Sequence, residues 1–251
     1  MKPIRDRAVY LVESKLNMKI GAFILYIGQR TFLDAKESIE SQVDFLKVVK
    51  NVSPVNKAIN YCFKRAEQEK LDHFLIFGAD TIQKPDAIAI YKKHISENLW
   101  CVRGKLEDYY RETGGYVNHF YNAKAMKGIR VKEDDSMYDH NIYKLMEEKN
   151  YRDLITKEVT GVHHPIWSVK EAFEKHLHSG KRYDKKYREK FYKQVYDKFL
   201  ENPCDVNFAS LIGFGLGIKS QSKEVLTTRE SDYWKWYKIL FNCDELLKWH
   251  D

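Results

Sequence analysis

The segment Phe74-Leu-Ile-Phe-Gly-Ala-Asp-Thr-Ile-Gln-Lys-Pro85 decides the fold class of this 251-residue chain. Its first four residues are apolar and long enough for a buried strand, which Gly78 would end. Pro85 stands where a helix can begin, because the first turn of a helix does not need the missing N–H group. The segment therefore predicts a strand, a polar loop that contains Asp80, and a helix that runs to about residue 98.

Two similar units precede this segment. The apolar runs Ile20 to Ile27 and Asp44 to Val49 read as strands, and helical spacing of apolar residues follows them at 33–42 and 55–70. Alternation of strand and helix predicts an α/β fold with a mostly parallel central sheet over about residues 19–165. Ligands of such sheets bind where the strands end, so the loops 26–31, 50–54 and 78–81 are the first candidates for a site.

The rest of the chain predicts one further strand and several helices. Residues 99–102 form the possible strand, whereas 141–149, 168–178 and 181–201 have helical spacing. The stretch Gly213-Phe-Gly-Leu-Gly217 lacks the preceding strand and the later acid of a dinucleotide fingerprint, so we interpret it as packing or a turn. We expect a domain at 1–180 and a basic, aromatic, helical C-terminal extension at 181–251 that packs on it.

Composition limits the class of protein. The net charge of +7 favours an anionic partner such as a nucleotide, a nucleic acid or a membrane surface. No apolar run approaches the ~20 residues of a membrane-spanning helix, and the opening MKPIRDR leads into no signal-peptide core. The four cysteines form no CxxC pair, which excludes a zinc ribbon. These features predict a cytoplasmic protein, with peripheral contact to a membrane as an option.

Asp80 and the pair His163-His164 are candidate metal ligands. A carboxylate after a buried strand is suited to Mg²⁺ or Mn²⁺, which take oxygen ligands from protein and from phosphates. The alternative for Asp80 is an N-cap of the following helix. Neighbouring residues of an extended segment point to opposite sides, so at most one histidine should face a site. The alternative for both is an ordinary core or surface histidine.

Two charged segments also have two interpretations each. Glu133-Asp-Asp135 and Asp139 precede a helix, where carboxylates suit the macrodipole, or one of them is a general base. The helix 181–201 carries eight Lys or Arg against four acids. It is either a solvated helix with i,i+4 ion pairs or a surface for an anionic membrane or a nucleic acid backbone.

Taken in order, these motifs resemble a family-2 type glycosyltransferase with the GT-A fold, from about Lys19 to Pro165. The first strand, Gly28-Gln-Arg30 and Ser38 to Gln42 resemble the family's opening strand, YNR-like turn and SIlnQ helix. Residues 74–85 resemble its DaDDxxxP motif, with Pro85 in register. Asp139 precedes Asn150-Tyr151 by eleven residues, which resembles the spacing of the family's ED…Gy segment.

The resemblance implies inverting, metal-assisted transfer of a sugar from a UDP-, GDP- or dTDP-sugar to a hydroxyl acceptor such as a glycan, as in polysaccharide biosynthesis. It implies that Asp139 is the general base and that Asp80 with His163 or His164 binds Mn²⁺ or Mg²⁺. The implied donor-binding residues are Tyr26, Arg30, Asn51, Ser53 and Asp80. The acceptor is expected near Tyr109, Tyr110, Tyr116 and Tyr121.

Three positions depart from the family pattern. Gly78 replaces the first acid of the DxD motif, Lys50-Asn51 replace the two acids after the second strand, and Tyr138 replaces the Glu before the base. The sequence therefore leaves the requirement for metal open. The alternative function is a non-catalytic or nucleic-acid-binding protein with a GT-A-like fold, or sugar transfer to a modified DNA base.

Overall fold

A mixed sheet organises the first part of the molecule. The computed structural model describes residues 18–110, 117–133, 138–163, 167–182 and 185–219. The strands within them are β1 (Ile20–Tyr26), β2 (Phe45–Lys50), β3 (His73–Gly78), β4 (Thr81–Gln83), β5 (Leu99–Asp108), β6 (Val117–Asn122) and β7 (Arg152–His163). In these ranges they form one seven-stranded sheet in the order β2-β1-β3-β6-β5-β7-β4. Because, among these described strands, only β4 and β6 run opposite to the other five, the predicted mostly parallel sheet is confirmed.

The helices in the described ranges are α1 (Phe32–Glu40), α2 (Val55–Gln68), α3 (Ala87–His94), α4 (Ala123–Met126), α5 (Tyr138–Glu148), α6 (Val169–Arg182), α7 (Lys185–Glu201) and α8 (Asp205–Lys219). Of these, α1 and α3 pack on one face of the sheet, and α2 and α5 pack on the other. Side chains alternate along β1, so Phe23 packs in one core with α2 and α5, and Ile24 packs in the other with α1 and α3. Burial on both faces explains the continuous apolar run of β1 and confirms the α/β class.

Four strands differ from the prediction. β5 extends to Asp108 instead of ending at residue 102, and the sequence did not indicate β4, β6 or β7. The second half of β5 carries charged residues, so it lacks the continuous apolar run that predicts a buried strand. It is fixed by its neighbours, since β5 pairs with β6 on one side and with β7 on the other. β4 is held by antiparallel pairing with β7.

The chain divides into two compact units, residues 1–109 with 113–165, and residues 110–112 with 166–251. The division falls before α6, whereas the sequence placed it at 180/181. The reason is that α6 packs on α8 at very close range. A Cβ at Gly213 would lie 2.4 Å from the carbonyl oxygen of Phe173, and one at Gly217 would lie 2.3 Å from that of Leu177. The glycine-rich stretch is therefore helix packing and not a turn.

The second unit has its own core and polar network. Phe173, Leu177 and Ala209 are buried together. The buried hydroxyl of Tyr110 donates to Asn207 Oδ1 at 2.8 Å and lies 2.8 Å from Ser210 Oγ.

In the ranges that the structure describes, no helix combines the length and the apolar content needed to cross a bilayer.

Candidate functional site

Three loops meet at the carboxyl edge of the sheet. The Asn51 N–H donates to the carbonyl of Tyr26 at 2.8 Å, which joins the loop after β2 to the end of β1. The Ala79 N–H donates to Leu25 O at 2.9 Å, and the buried Thr31 hydroxyl donates to Ala79 O at 2.8 Å. The loops 26–31, 50–54 and 78–81 therefore lie side by side, as expected from strands that end at one edge.

Asp80 and His163 meet at this edge. Asp80 directly precedes β4, whose first residue, Thr81, pairs with His163 at the end of β7. The Oδ2 atom of Asp80 lies 3.3 Å from Nε2 of His163. Asp80 does not cap a helix, because β4 follows it and α3 begins only at Ala87. His164 lies outside the described residues, so its place among the predicted ligands stays a prediction.

Asp108 adds a second carboxylate to the same histidine. It is the last residue of β5 and is paired with His163 in the parallel ladder between β5 and β7. Its Oδ2 lies 2.6 Å from His163 Nδ1, and the two side chains are only 6% and 7% exposed, against 22% for Asp80. Asp108 was not among the predicted site residues, because the strand was predicted to end at residue 102. A carboxylate at the end of a strand, the pattern that indicated Asp80, also describes Asp108.

The donor set fits a divalent cation of the Mg²⁺ or Mn²⁺ type. Asp80 offers a carboxylate oxygen, and a neutral His163 offers Nε2, since Nδ1 is engaged by Asp108. Among the described side chains, no cluster of three or more His, Cys, Asp or Glu could hold a metal ion. A cation here would therefore take its other ligands from water and substrate, which is usual for Mg²⁺ bound with phosphates.

Gly78 leaves room for the carboxylate of Asp80. A Cβ at position 78 would lie 2.4 Å from Oδ1 of Asp80, far inside van der Waals contact. The carboxylate thus occupies the space that a side chain at position 78 would need. This accounts physically for glycine where the resembling family carries an acid.

Aromatic and basic groups surround the predicted donor pocket. The ring of half-buried Tyr26 lies 4.5 Å from the ring of Phe32, and the Lys50 ammonium lies 5.9 Å from the centre of the Phe32 ring. Arg30, Asn51 and Ser53 are exposed at the same edge, and Asn51 has a φ of 52°, which asparagine tolerates. Phe32 and Lys50 were not predicted as site residues.

Asp139 is exposed in the first turn of α5. One turn later, the Tyr143 hydroxyl lies 2.8 Å from His119 Nε2, and the Arg103 guanidinium lies 4.9 Å from the Tyr143 ring centre. Burial is the main cause that raises the pKa of Tyr143, and the charge of Asp139 contributes. Asp139 thus lies near Tyr143, and its role as a base stays a prediction.

The segment before α5 is tied to α2. Asn60 Nδ2 donates to Val131 O at 2.7 Å, and the Val131 N–H donates back to Asn60 Oδ1 at 2.8 Å. The exposed Glu133 forms an ion pair with Lys57 at 3.2 Å. Asp134 and Asp135, the other acids of the predicted run, lie outside the described residues.

The prediction that four tyrosines lie near the acceptor is wrong for two of them, Tyr110 and Tyr121. Tyr121 is buried in the sheet core, where its ring lies 5.2 Å from that of Phe74. Tyr110 is buried in the second unit, where its hydroxyl contacts Asn207 and Ser210. Both rings are used in packing and offer no face to a sugar. Tyr109 is half-buried, and Tyr116 lies outside the described residues.

One face of α7 exposes three large side chains. Tyr192, Tyr196 and Leu200 are exposed at helical spacing, whereas Phe191 and Val195 are buried. Lys193 on the exposed face pairs with Asp197. Contact of this basic helix with an anionic membrane or nucleic acid stays a prediction.

Comparison with known proteins gives structural neighbours only. No protein-family model and no curated protein matches the chain. One similar structure is a glycosyltransferase involved in glycosylation of the major capsid of PBCV-1, at 12% identity and a TM-score of 0.43, over 57% of this chain and 92% of that one.

Two further similar structures differ in the kind of enzyme that they represent. Residues 1–349 of S. aureus TarS in complex with UDP-GlcNAc are 14% identical with a TM-score of 0.44, over 84% of this chain and 76% of that one. A cytidylyltransferase from Leptospira borgpetersenii is 8% identical with a TM-score of 0.41, over 76% and 98%. Solved glycosyltransferases are among the structures similar to this chain.

Proposed function

We propose that this chain is a glycosyltransferase that moves a sugar from a nucleotide diphosphate sugar to a hydroxyl acceptor. The observation that carries the proposal is the contact of Asp80 with His163, backed by Asp108, beside three loops at the carboxyl edge of the sheet. This edge is where α/β sheets bind ligands. A carboxylate and an imidazole at that edge suit a cation that also binds a diphosphate.

The neighbouring loops suit the nucleotide. The rings of Tyr26 and Phe32 offer an aromatic surface for a base, and Lys50 and Arg30 bring positive charge to the same edge. Asn51 and Ser53 are exposed polar side chains that can bond the ribose or the base. UDP-, GDP- and dTDP-sugars are the donors to test, because these contacts do not distinguish uracil, guanine and thymine.

The reaction would be a single displacement. The acceptor oxygen attacks the anomeric carbon as its proton passes to the Asp139 carboxylate, and the bond from that carbon to the diphosphate oxygen breaks. The nucleoside diphosphate leaves with the bonding electrons, and the configuration of the sugar inverts. A bound Mn²⁺ or Mg²⁺ would neutralise charge on the departing diphosphate. Asp80 and His163 would hold it, and Asp139, exposed at the start of α5, would remain accessible to an acceptor.

The first test replaces Asp80 by Asn, which keeps the size of the side chain and removes its charge. We expect sugar transfer or donor hydrolysis with Mn²⁺ to fall about 100-fold or more, since a metal supplies several kcal/mol of charge stabilisation. Asp86→Asn, an exposed acid before α3, is the control. Full activity of the wild type in EDTA, or of Asp80→Asn with Mn²⁺, would refute the metal site. Binding of nucleic acid with no turnover of any donor would favour the non-catalytic alternative.

The second test replaces Asp139 by Asn. Loss of a general base typically lowers the rate by ~10²–10⁴-fold, and donor binding should stay unchanged because the base acts on the acceptor. Glu133→Gln is the matched control, because Glu133 is an exposed acid that pairs with Lys57. Transfer rates and donor affinity are measured for both variants. A larger loss in Glu133→Gln than in Asp139→Asn would reassign the base.

A further inference from the structure

We infer that Asp108 is a positioning residue that keeps the proton of neutral His163 on Nδ1 and thereby turns the Nε2 lone pair toward a cation shared with Asp80. Asp108 lies outside the motifs that resemble the glycosyltransferase family. The consequence for cation binding rests on the proposed metal-assisted transfer. The position of the proton is a property of the chain itself and can be measured without metal or substrate.

The distances around the imidazole ring carry the inference. His163 lies between two carboxylates, with Nδ1 2.6 Å from Asp108 and Nε2 3.3 Å from Asp80. Charge-assisted hydrogen bonds have short donor–acceptor distances, and 3.3 Å is long for one. In a neutral ring, the single N–H therefore belongs on Nδ1, where it donates to Asp108. Histidines that bind metals commonly donate their other N–H to a carboxylate in this way.

Burial also favours placing the proton of His163 on Nδ1, next to Asp108. The Asp108 and His163 side chains are 6% and 7% exposed, whereas Asp80 is 22% exposed. A hydrogen bond to a charged group is stronger where water is excluded, so the inner contact should outweigh the outer one. The more exposed Asp80 is also the carboxylate that substrate and cation reach first.

The backbone makes Asp108 a fixed partner. Leu106, Glu107 and Asp108 pair in register with Gly161, Val162 and His163, so the sheet holds both members of the inner pair. Asp80 lies instead in the two-residue turn between β3 and β4. A cation shared by Asp80 and His163 must replace the Nε2···Oδ2 contact. The turn can adjust for this, while the pair of Asp108 and His163 stays in place.

The test compares Asp108→Leu and Asp108→Asn with the wild type. Nitrogen-15 NMR of the metal-free protein, at a pH where the ring is neutral, reads which nitrogen carries the proton. The His163 signals are assigned by their loss in His163→Gln. We expect Nδ1–H in the wild type and a shift toward Nε2–H in Asp108→Leu, because Asp80 is then left as a carboxylate against the ring. Asp108→Asn keeps the size of the side chain if the leucine variant does not fold. Nε2–H in the wild type, or the same tautomer in wild type and folded variant, would overturn the inference.

The second measurement is Mn²⁺ affinity, read by electron paramagnetic resonance with UDP present. Loss of such a supporting carboxylate typically lowers metal affinity 10- to 100-fold, and we expect that range for the Asp108 variants. Glu107→Gln is the control, since Glu107 is the preceding residue and pairs with Lys84 at 3.4 Å. A shifted tautomer with unchanged Mn²⁺ affinity would overturn the positioning role. If the wild type binds no Mn²⁺, the proposed metal site fails, and the tautomer measurement still decides where Asp108 holds the proton.

Discussion

Replacing Gly78 by Ala should separate the function of the site from the stability of the fold. The new Cβ would lie 2.4 Å from Oδ1 of Asp80, which is closer than real Cβ contacts allow. The atom that must move is the end of a side chain and not the backbone. The carboxylate of Asp80 can rotate away, but it then leaves its position 3.3 Å from His163 Nε2.

The two effects differ in size. The backbone of Gly78 is outside the left-handed region, so alanine fits it, and such a change gains about 0.4–1 kcal/mol through the unfolded state. We therefore expect the free energy of unfolding to change by less than about 1 kcal/mol. Interactions with charged groups contribute about 1.5–3 kcal/mol, so misplacing Asp80 should weaken Mn²⁺ binding about 10- to 100-fold.

Gly128→Ala provides the opposite control. Gly128 has a φ of 75°, and a Cβ added there would meet nothing within 4 Å, so alanine strains the backbone by about 1–2 kcal/mol and touches no site residue. Urea unfolding and Mn²⁺ titration in the presence of UDP are measured for both variants. If Gly78→Ala binds Mn²⁺ as tightly as the wild type while Gly128→Ala binds it less well, the reasoning about Asp80 is refuted.

Two further predictions concern stability. Gly213→Ala should lower the free energy of unfolding by about 1–3 kcal/mol, because the new Cβ would meet the backbone of α6. Gly215→Ala should raise it by about 0.5–1 kcal/mol, because a Cβ there meets nothing within 4 Å and alanine favours the helix. Equal effects of the two changes in urea unfolding would contradict this packing. His73 is buried, and burial lowers its pKa to about 4 from an ordinary value near 6.5. Its neutral form is therefore favoured in the fold, and protonation on going from pH 8 to pH 5 should cost about 2 kcal/mol of stability. His73→Phe, which keeps the ring against Phe120, should lose that much less than the wild type over the same interval, and an equal loss would count against the assignment.

Much of the fold could be predicted because apolar runs for strands and helical spacing for helices are local features of the sequence. The apolar runs of β1 and β3 are buried on two faces, and β-strands of that kind read as continuous hydrophobic segments. β4, β6, β7 and the second half of β5 escaped prediction for the opposite reason. Many of their residues are polar or charged, and pairing with neighbouring strands fixes them as strands; β7 is distant in sequence from both β4 and β5.

The site residues also fall into those that a local sequence pattern predicts and those that only strand pairing reveals. Asp80 follows an apolar strand and was found from that local pattern. Asp108 was missed because its importance depends on the register between β5 and β7, which brings it opposite His163 across 55 positions of sequence. Tyr121 shows the converse error, since a tyrosine in a polar-looking segment is buried by Phe74 on a neighbouring strand. Cross-strand contacts of this kind are invisible in sequence spacing.

Gly78 and Asp108 belong to one arrangement around Asp80 and His163. Where the resembling family has an acid, Gly78 makes space for Asp80 to turn toward His163. The ladder of β5 and β7 then supplies Asp108 behind the histidine, so the site contains two carboxylates, one partly exposed and one buried. A buried carboxylate that holds the ring orders the imidazole before any cation arrives, and the outer carboxylate alone must adjust on binding. Metal affinity should therefore depend on Asp108 even though the cation need not touch it.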